Sequence, residues 1–145
     1  MINEPKLDLS YIAGFFDGEG CVNISKSGLR ATITNTDINV LLLIQKCYSK
    51  GKIRSRKLKD GEKRKPCYML EFWSGDASLF LQSIIELLII KKEQAEIGLL
   101  YQTTFRKKKV GRGFFGPKRL PEENRILREF YENKLKYIKH GEEIN

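Results

Sequence analysis

Two spacings of apolar side chains take turns along the chain. Between Cys21 and Ser27 apolar and polar residues alternate, and after a turn marked by Gly28 they alternate again from Leu29 to Thr34. Period-two patterning on both sides of a turn predicts a β-hairpin. The spacing then switches. Val40, Leu41, Ile44 and Cys47 or Tyr48 fall three and four apart. That predicts a helix from Ile38 to about Tyr48, capped by Asp37 and closed near Gly51. A second alternating pair follows, Lys52 to Leu58 and Pro66 to Trp73, with Asp60-Gly61 as its turn. Ala77 to about Ile89, led by Asp76 or Ser74, and Lys91 or Lys92 to Phe105 read as two helices broken at Ile89–Lys91, or as one bent helix. Pro121, well tolerated in a first helical turn, opens a last helix to about Lys139. Ahead of all these, a polar lead to Leu7 gives way to a first helix from about Ser10 to Asp17, capped by Ser10 or Asp8.

Helix, hairpin, helix, hairpin, helix is the order of an α+β layer, an antiparallel sheet with helices on one side. The two hairpin-plus-helix units look like a loose repeat. The 145 residues read as a single domain (1–145), with a core over about 8–105 and a basic loop and C-terminal helix over 106–145. Strand parity separates two sheet faces. Val22, Ile24, Leu29, Ala31, Ile33, Ile53, Tyr68, Leu70 and Phe72 point to the helices. Cys21, Asn23, Ser25, Ser27, Arg30, Thr32, Thr34, Lys52, Arg54, Arg56, Lys63, Lys65, Cys67 and Met69 point away, which makes the open face polar and basic throughout.

Charge sharpens this picture. The formal net charge is +9 and the pI about 9.5, which suggests a polyanionic partner, most often nucleic acid. Lys50 to Lys65 holds nine basic residues and two acids. A solvated antiparallel face is the ordinary alternative. Against it, Asn23, Ser25, Lys26, Arg30, Thr32, Thr34, Lys52, Arg54, Arg56, Lys63 and Lys65 are residues that hydrogen-bond base edges and phosphates. A two-stranded ribbon also fits the major groove of DNA. Arg54 and Arg56 suit guanine N7 and O6, whereas Lys52, Lys57 and Lys59 suit phosphate. Arg106 to Arg119 has seven basic residues and no acid, with Phe114 and Phe115 among glycines. It reads equally as a flexible cationic tail or as a phosphate-binding arm with an apolar anchor. Cys21, Cys47 and Cys67 have no paired spacing, against a disulfide scaffold or a zinc site. His140, the single histidine, is a poor general base in a terminal position. Apolar runs such as Leu87 to Ile90 are too short to span a bilayer, and no signal peptide is visible. A soluble intracellular protein is expected, cytoplasmic in a prokaryote or organellar, with no membrane partner.

The chemistry concentrates in Leu9 to Gly20. Ala13 and Gly14 leave one side of the first helix nearly bare, and an interior Gly gives up about 1 kcal/mol relative to Ala. Close approach of another backbone explains that loss. Asp17 and Glu19, bracketed by Gly18 and Gly20, sit at the negative end of the helix dipole, where a bound cation would reverse an unfavourable sign. By composition alone they are two solvated carboxylates. However, Ile12 to Gly20, IAGFFDGEG, closely resembles the nine-residue signature of the LAGLIDADG homing endonucleases, with Glu19 in place of the usual final Asp. The order of elements over roughly residues 8 to 100 is also similar to that family's αββαββα core, which carries additional C-terminal helices.

The resemblance implies a LAGLIDADG homing-endonuclease fold whose sheet lies along the DNA groove as a saddle. It implies that Glu19 binds a divalent metal, assisted by the Gly18 carbonyl, and that Asp17 supports the structure. Two copies would meet helix to helix, through Ile12, Ala13, Gly14, Phe16 and Asp17. Asn35 falls near a water-holding position and Lys91 where a lysine lines the pocket. Asn35 reads equally as a turn residue before Asp37, and Lys91 as a helix-end cation. One departure is that Asn39 or Ile38 stands where a basic residue is often found. Carboxylate and carbonyl oxygens suit Mg²⁺ or Mn²⁺. One motif supplies too few acids for two-metal hydrolysis, so two chains are needed. The expectation is therefore a homodimer on a roughly palindromic double-stranded DNA site. The implied activity is site-specific cleavage leaving staggered 3′ overhangs and promoting intron mobility. The alternatives are an intron maturase that also binds RNA, a non-cleaving regulator, or a structural dimer with an incidental basic face.

Overall fold

A computed structural model describes residues 6–56, 58–105 and 122–141. Its elements are α1 (Leu9–Glu19), β1 (Gly20–Ser25), β2 (Gly28–Asn35), α2 (Ile38–Tyr48), β3 (Lys52–Arg56), β4 (Cys67–Trp73), α3 (Ser74–Ile84), α4 (Lys92–Thr103) and α5 (Glu122–His140), with a 3₁₀ turn at Ile85–Leu87. Lys57, the Arg106–Arg119 segment and Pro121 lie outside the described residues.

The four strands form one antiparallel sheet in the order β1-β2-β4-β3. Its register puts Val22 opposite Ala31 and Ala31 opposite Phe72, and lines up Gly20, Ile33, Leu70 and Ile53 in one row. These rows face the helices and are buried at Val22, Leu29, Ala31, Ile33, Leu70 and Phe72. Phe72 stacks on Phe80 of α3 at 4.4 Å between centroids, and Phe16 of α1 meets the same ring edge-on. Each such aromatic or aliphatic side chain contributes roughly 1.5–3 kcal/mol on burial. The fold class read from the sequence is the one observed.

Four local details differ. The β1–β2 turn falls on Lys26 and Ser27, and Gly28 opens β2 at φ +115°, a conformation that favours glycine. The side chain of Gln102 in α4 accepts from Leu29 N at 2.9 Å and locks the hairpin to the helices. The second hairpin pairs only as far as Arg56 opposite Cys67. The Asp60-Gly61 turn forms, with Glu62 N donating to Lys59 O, but Lys63 and Lys65 lie in the connection and not on a strand. Ser49, in the left-handed region at φ 52°, caps α2 in place of Gly51. Finally, α3 begins at Ser74 and ends at Ile84, so the break before α4 is longer than expected.

α5 is tied down at several points. Leu135 is buried, and the Arg128 guanidinium lies 3.6 Å from the Phe105 ring centroid while Nε donates to Thr104 Oγ1 at 2.8 Å. The buried Tyr101 hydroxyl lies 2.7 Å from the Ser25 carbonyl oxygen and 2.9 Å from Glu132 Oε1. No helix among the described residues is long and apolar enough to cross a membrane.

Candidate active site and nucleic-acid interface

α1 starts where Asp8 accepts a hydrogen bond from Tyr11 N at 2.8 Å. It ends because Gly20 turns into β1 against Phe16: a Cβ there would lie 2.3 Å from Phe16 Cδ2 and 2.6 Å from Phe16 O. The two sides of α1 are distinct. Ile12, Ala13, Phe16 and Asp17 are buried in the chain's own core, so four of the five residues expected at a partner face are already used inside. They occupy one helical stripe, and the sheet and α3 hydrophobics claim it. Gly14, the fifth, is exposed with Tyr11 and Gly18 on the opposite stripe, and a Cβ at Gly14 or Gly18 would meet nothing within 4 Å. Beyond the tip, Ile89 and Ile90 are 87% and 70% exposed.

The two acids of the tip do different work. Asp17 Oδ2 accepts from Ile89 N at 2.8 Å and Oδ1 from Lys91 N at 3.0 Å, so both oxygens pin the segment before α4. Lys91 Nζ in turn donates to the Asp17 carbonyl. A cation just before α4 faces the positive end of that helix, but the terminal carbonyls of α1 offset this. Glu19, the last residue of α1, is exposed, and its carboxylate has no hydrogen bond or ion pair among the described residues. Among the described residues no three His, Cys, Asp or Glu side chains converge. The donors present, one carboxylate with no partner among the described residues beside the exposed Gly18, are hard oxygens of the kind that suits Mg²⁺ or Mn²⁺. Asn35 lies at the same end of the sheet, two residues after Ile33, which pairs with Gly20. Its Oδ1 accepts from Asp37 N at 2.8 Å, which is the turn role, and leaves its Nδ2 for another partner.

The open sheet face carries the expected side chains in rows: Cys21, Thr32, Glu71, Lys52; then Asn23, Arg30, Trp73; then Thr34, Met69, Arg54; then Arg56 beside Cys67. Ser25 and Lys26 are exposed at the hairpin end. Thr32 is on this side but only 4% exposed, so it offers no contact surface. The face is not basic throughout. Glu71 sits in the row shared by all four strands, 5% exposed, between Arg54 and Arg30. Strand parity contains that signal, because Glu71 is two residues from Met69. Lys139 is a second addition: from α5, its Nζ donates to Asn23 Oδ1 at 3.1 Å. Nothing in the sequence places α5 beside β1.

An αββαββα layer with an acid-tipped first helix and an open sheet face defines the LAGLIDADG class of architecture. Residues 6–98 match the family model described as the LAGLIDADG-like domain, and the chain belongs to that family. Among solved structures it is similar to the homing endonuclease I-CvuI in complex with its target, at 18% identity and TM-score 0.68 over 94% of this chain and 85% of that one. It is likewise similar to the homing endonuclease I-TnaI, at 18% identity and TM-score 0.62 over 93% of this chain and 95% of that one. The meganuclease I-SmaMI bound to uncleaveable DNA matches at 16% identity and TM-score 0.54, over 94% of this chain but 45% of that one. No curated protein matches the chain. Family and fold together support a DNA endonuclease.

Proposed function

We propose that the chain is one half of a homodimeric, site-specific double-strand DNA endonuclease that promotes mobility of its intron. The observation that carries this reading is the division between the two tip acids. Asp17 is consumed in holding the Lys91 segment, while Glu19, at the negative end of α1, has no partner among the described residues. A carboxylate kept in that unfavourable place suits a cation. Mg²⁺ or Mn²⁺ held by Glu19 and the Gly18 carbonyl would supply an activated water and charge stabilisation at the leaving oxygen. Lys91, anchored on the Asp17 carbonyl, holds positive charge beside the scissile phosphate, and Asn35 uses its free Nδ2 to orient water. Hydrolysis on both strands leaves staggered 3′ overhangs.

The partner face is the exposed stripe of Tyr11, Gly14 and Gly18, extended by Ile89 and Ile90. Bare glycines let two helices approach closely, and large exposed apolar side chains favour burial against a partner. The match takes up just under half of I-SmaMI, which leaves that chain length for a second fold of this size. The DNA face is the sheet, with Arg30, Arg54 and Arg56 for bases and Lys26, Lys52 and Lys139 for phosphate; Lys63 and Lys65 act from the β3–β4 connection.

The test is cleavage of a randomised double-stranded DNA library with Mg²⁺, beside Glu19→Gln and beside EDTA. One long, near-palindromic cut site, lost in both controls, is expected. Binding without cleavage in any divalent metal overturns the nuclease reading in favour of a maturase or regulator.

A further inference from the structure

An acid in the middle of a face meant for phosphates weakens attraction to them. Burying it costs further unless it is paired. Glu71 is nonetheless there, and three groups converge on it. Arg54 Nε lies 3.1 Å from Oε2, Arg30 Nη1 lies 3.8 Å from Oε1, and Trp73 Nε1 donates to Oε2 at 3.4 Å. The register explains the convergence. Arg54 pairs with Met69 and Arg30 with Trp73, the positions two before and two after Glu71 on β4. The guanidinium groups therefore reach the carboxylate from opposite sides. Arg30 also lies over the Trp73 ring, 5.1 Å from its centroid.

We propose that Glu71 is a positioning residue for sequence readout: it holds Arg54 by Nε so that the two terminal amino groups form a fixed, free fork at the sheet surface. The inference rests on the sheet being the DNA interface. A guanidinium has two edges that can each make a pair of parallel hydrogen bonds. Engaging Nε on a carboxylate leaves the terminal edge available for guanine O6 and N7. Arg54 is exposed on the edge strand β3, where an unheld side chain would sample many rotamers and lose that freedom on binding. The carboxylate removes that loss before DNA arrives. Glu71 itself is buried and its oxygens are occupied, so it acts through the arginines and not on a base.

The experiment is selection of randomised double-stranded DNA by the full chain in Ca²⁺, comparing wild type with R54A, E71Q and E71D and sequencing the bound pool. Wild type is expected to prefer guanine at a position that R54A flattens. E71Q and E71D are expected to lower the preference at that same position by about tenfold, leaving unchanged the positions read by neither Arg54 nor Arg30. Binding of E71Q to unselected DNA is expected to be equal or tighter, since a negative charge is gone. An unchanged profile in both Glu71 variants, or a uniform loss across all positions, overturns the inference while the DNA-binding reading stands. Failure of both variants to fold assigns Glu71 to folding alone and overturns it too. A wild-type chain that selects no sequence overturns the DNA-binding reading, and this inference falls with it.

Discussion

Asp17 and Glu19 stand two residues apart on one helix end, and they have opposite surroundings. The spacing was readable as a carboxylate pair, and the resemblance separated a supporting acid from a ligand. What Asp17 supports was not readable, because its partners lie more than seventy residues further on, at Ile89 and Lys91. Asp17→Ala removes both acceptors and leaves two part-buried N–H groups unpaired, each costing roughly 1–3 kcal/mol where water does not replace the carboxylate. We expect urea denaturation to show a loss on the order of 3 kcal/mol, with cleavage falling because Lys91 is released. Glu19→Gln should leave the same denaturation curve in place, since that carboxylate has no partner among the described residues. Gly20→Ala should also destabilise, by about 2 kcal/mol or more, because its methyl group would enter the Phe16 ring and carbonyl. Glu71 shows the other limit of residue-level reading. Alternation from Met69 is enough to turn it outward, but nothing in a sequence of net charge +9 singles out one acid among so many cations.

Elements were more legible than their faces. Alternation and helical spacing gave all four strands and five helices of the described chain, because the sheet buries one side and each core helix one stripe. In α1 the motif spans both stripes, so sequence could not say which stripe turns inward. Burial assigns Ile12, Ala13 and Phe16 to the core and Gly14 to the outside. The docking of α5 was invisible from sequence, since it depends on Tyr101, Arg128 and Lys139 meeting distant partners. Tyr101 makes that docking sensitive to alkali. Burial, and then the Glu132 carboxylate, raise its hydroxyl from the ordinary 10.0 to about 12. A raised folded pKa favours the protonated fold, so this contribution is complete below pH 10 and is lost as pH rises through about 12. Stability measured against pH should fall in that window in wild type, and less so in Tyr101→Phe. That substitution itself should cost about 1 kcal/mol at neutral pH.

At the scale of the whole molecule, the described residues close one core, while the proposed metal site calls for a second copy. That core needs no partner, yet among the described residues no three His, Cys, Asp or Glu side chains gather into a metal site. Gly14→Leu separates the two levels. The space around Gly14 is open, so the variant should melt no lower than wild type, and a better helix former there adds up to about 1 kcal/mol. Sedimentation velocity should nevertheless show a monomer where wild type is a dimer, and cleavage should be lost. A variant that remains dimeric removes the bare stripe from the interface. DNA affinity should fall steeply with log[salt], with a shallower slope in Lys139→Gln by about one unit of charge.

The lone free carboxylate of α1 also sets a reaction order. On the proposed dimer, with half a metal site per chain, the cutting species would form only when two chains meet. Far below the dimer dissociation constant, cleavage velocity should rise with the square of chain concentration, and far above it in simple proportion. Halving the dose in the dilute regime would then quarter the rate. Joining two copies in tandem should make the response linear throughout, so a titration of rate against protein concentration counts the chains in the working enzyme.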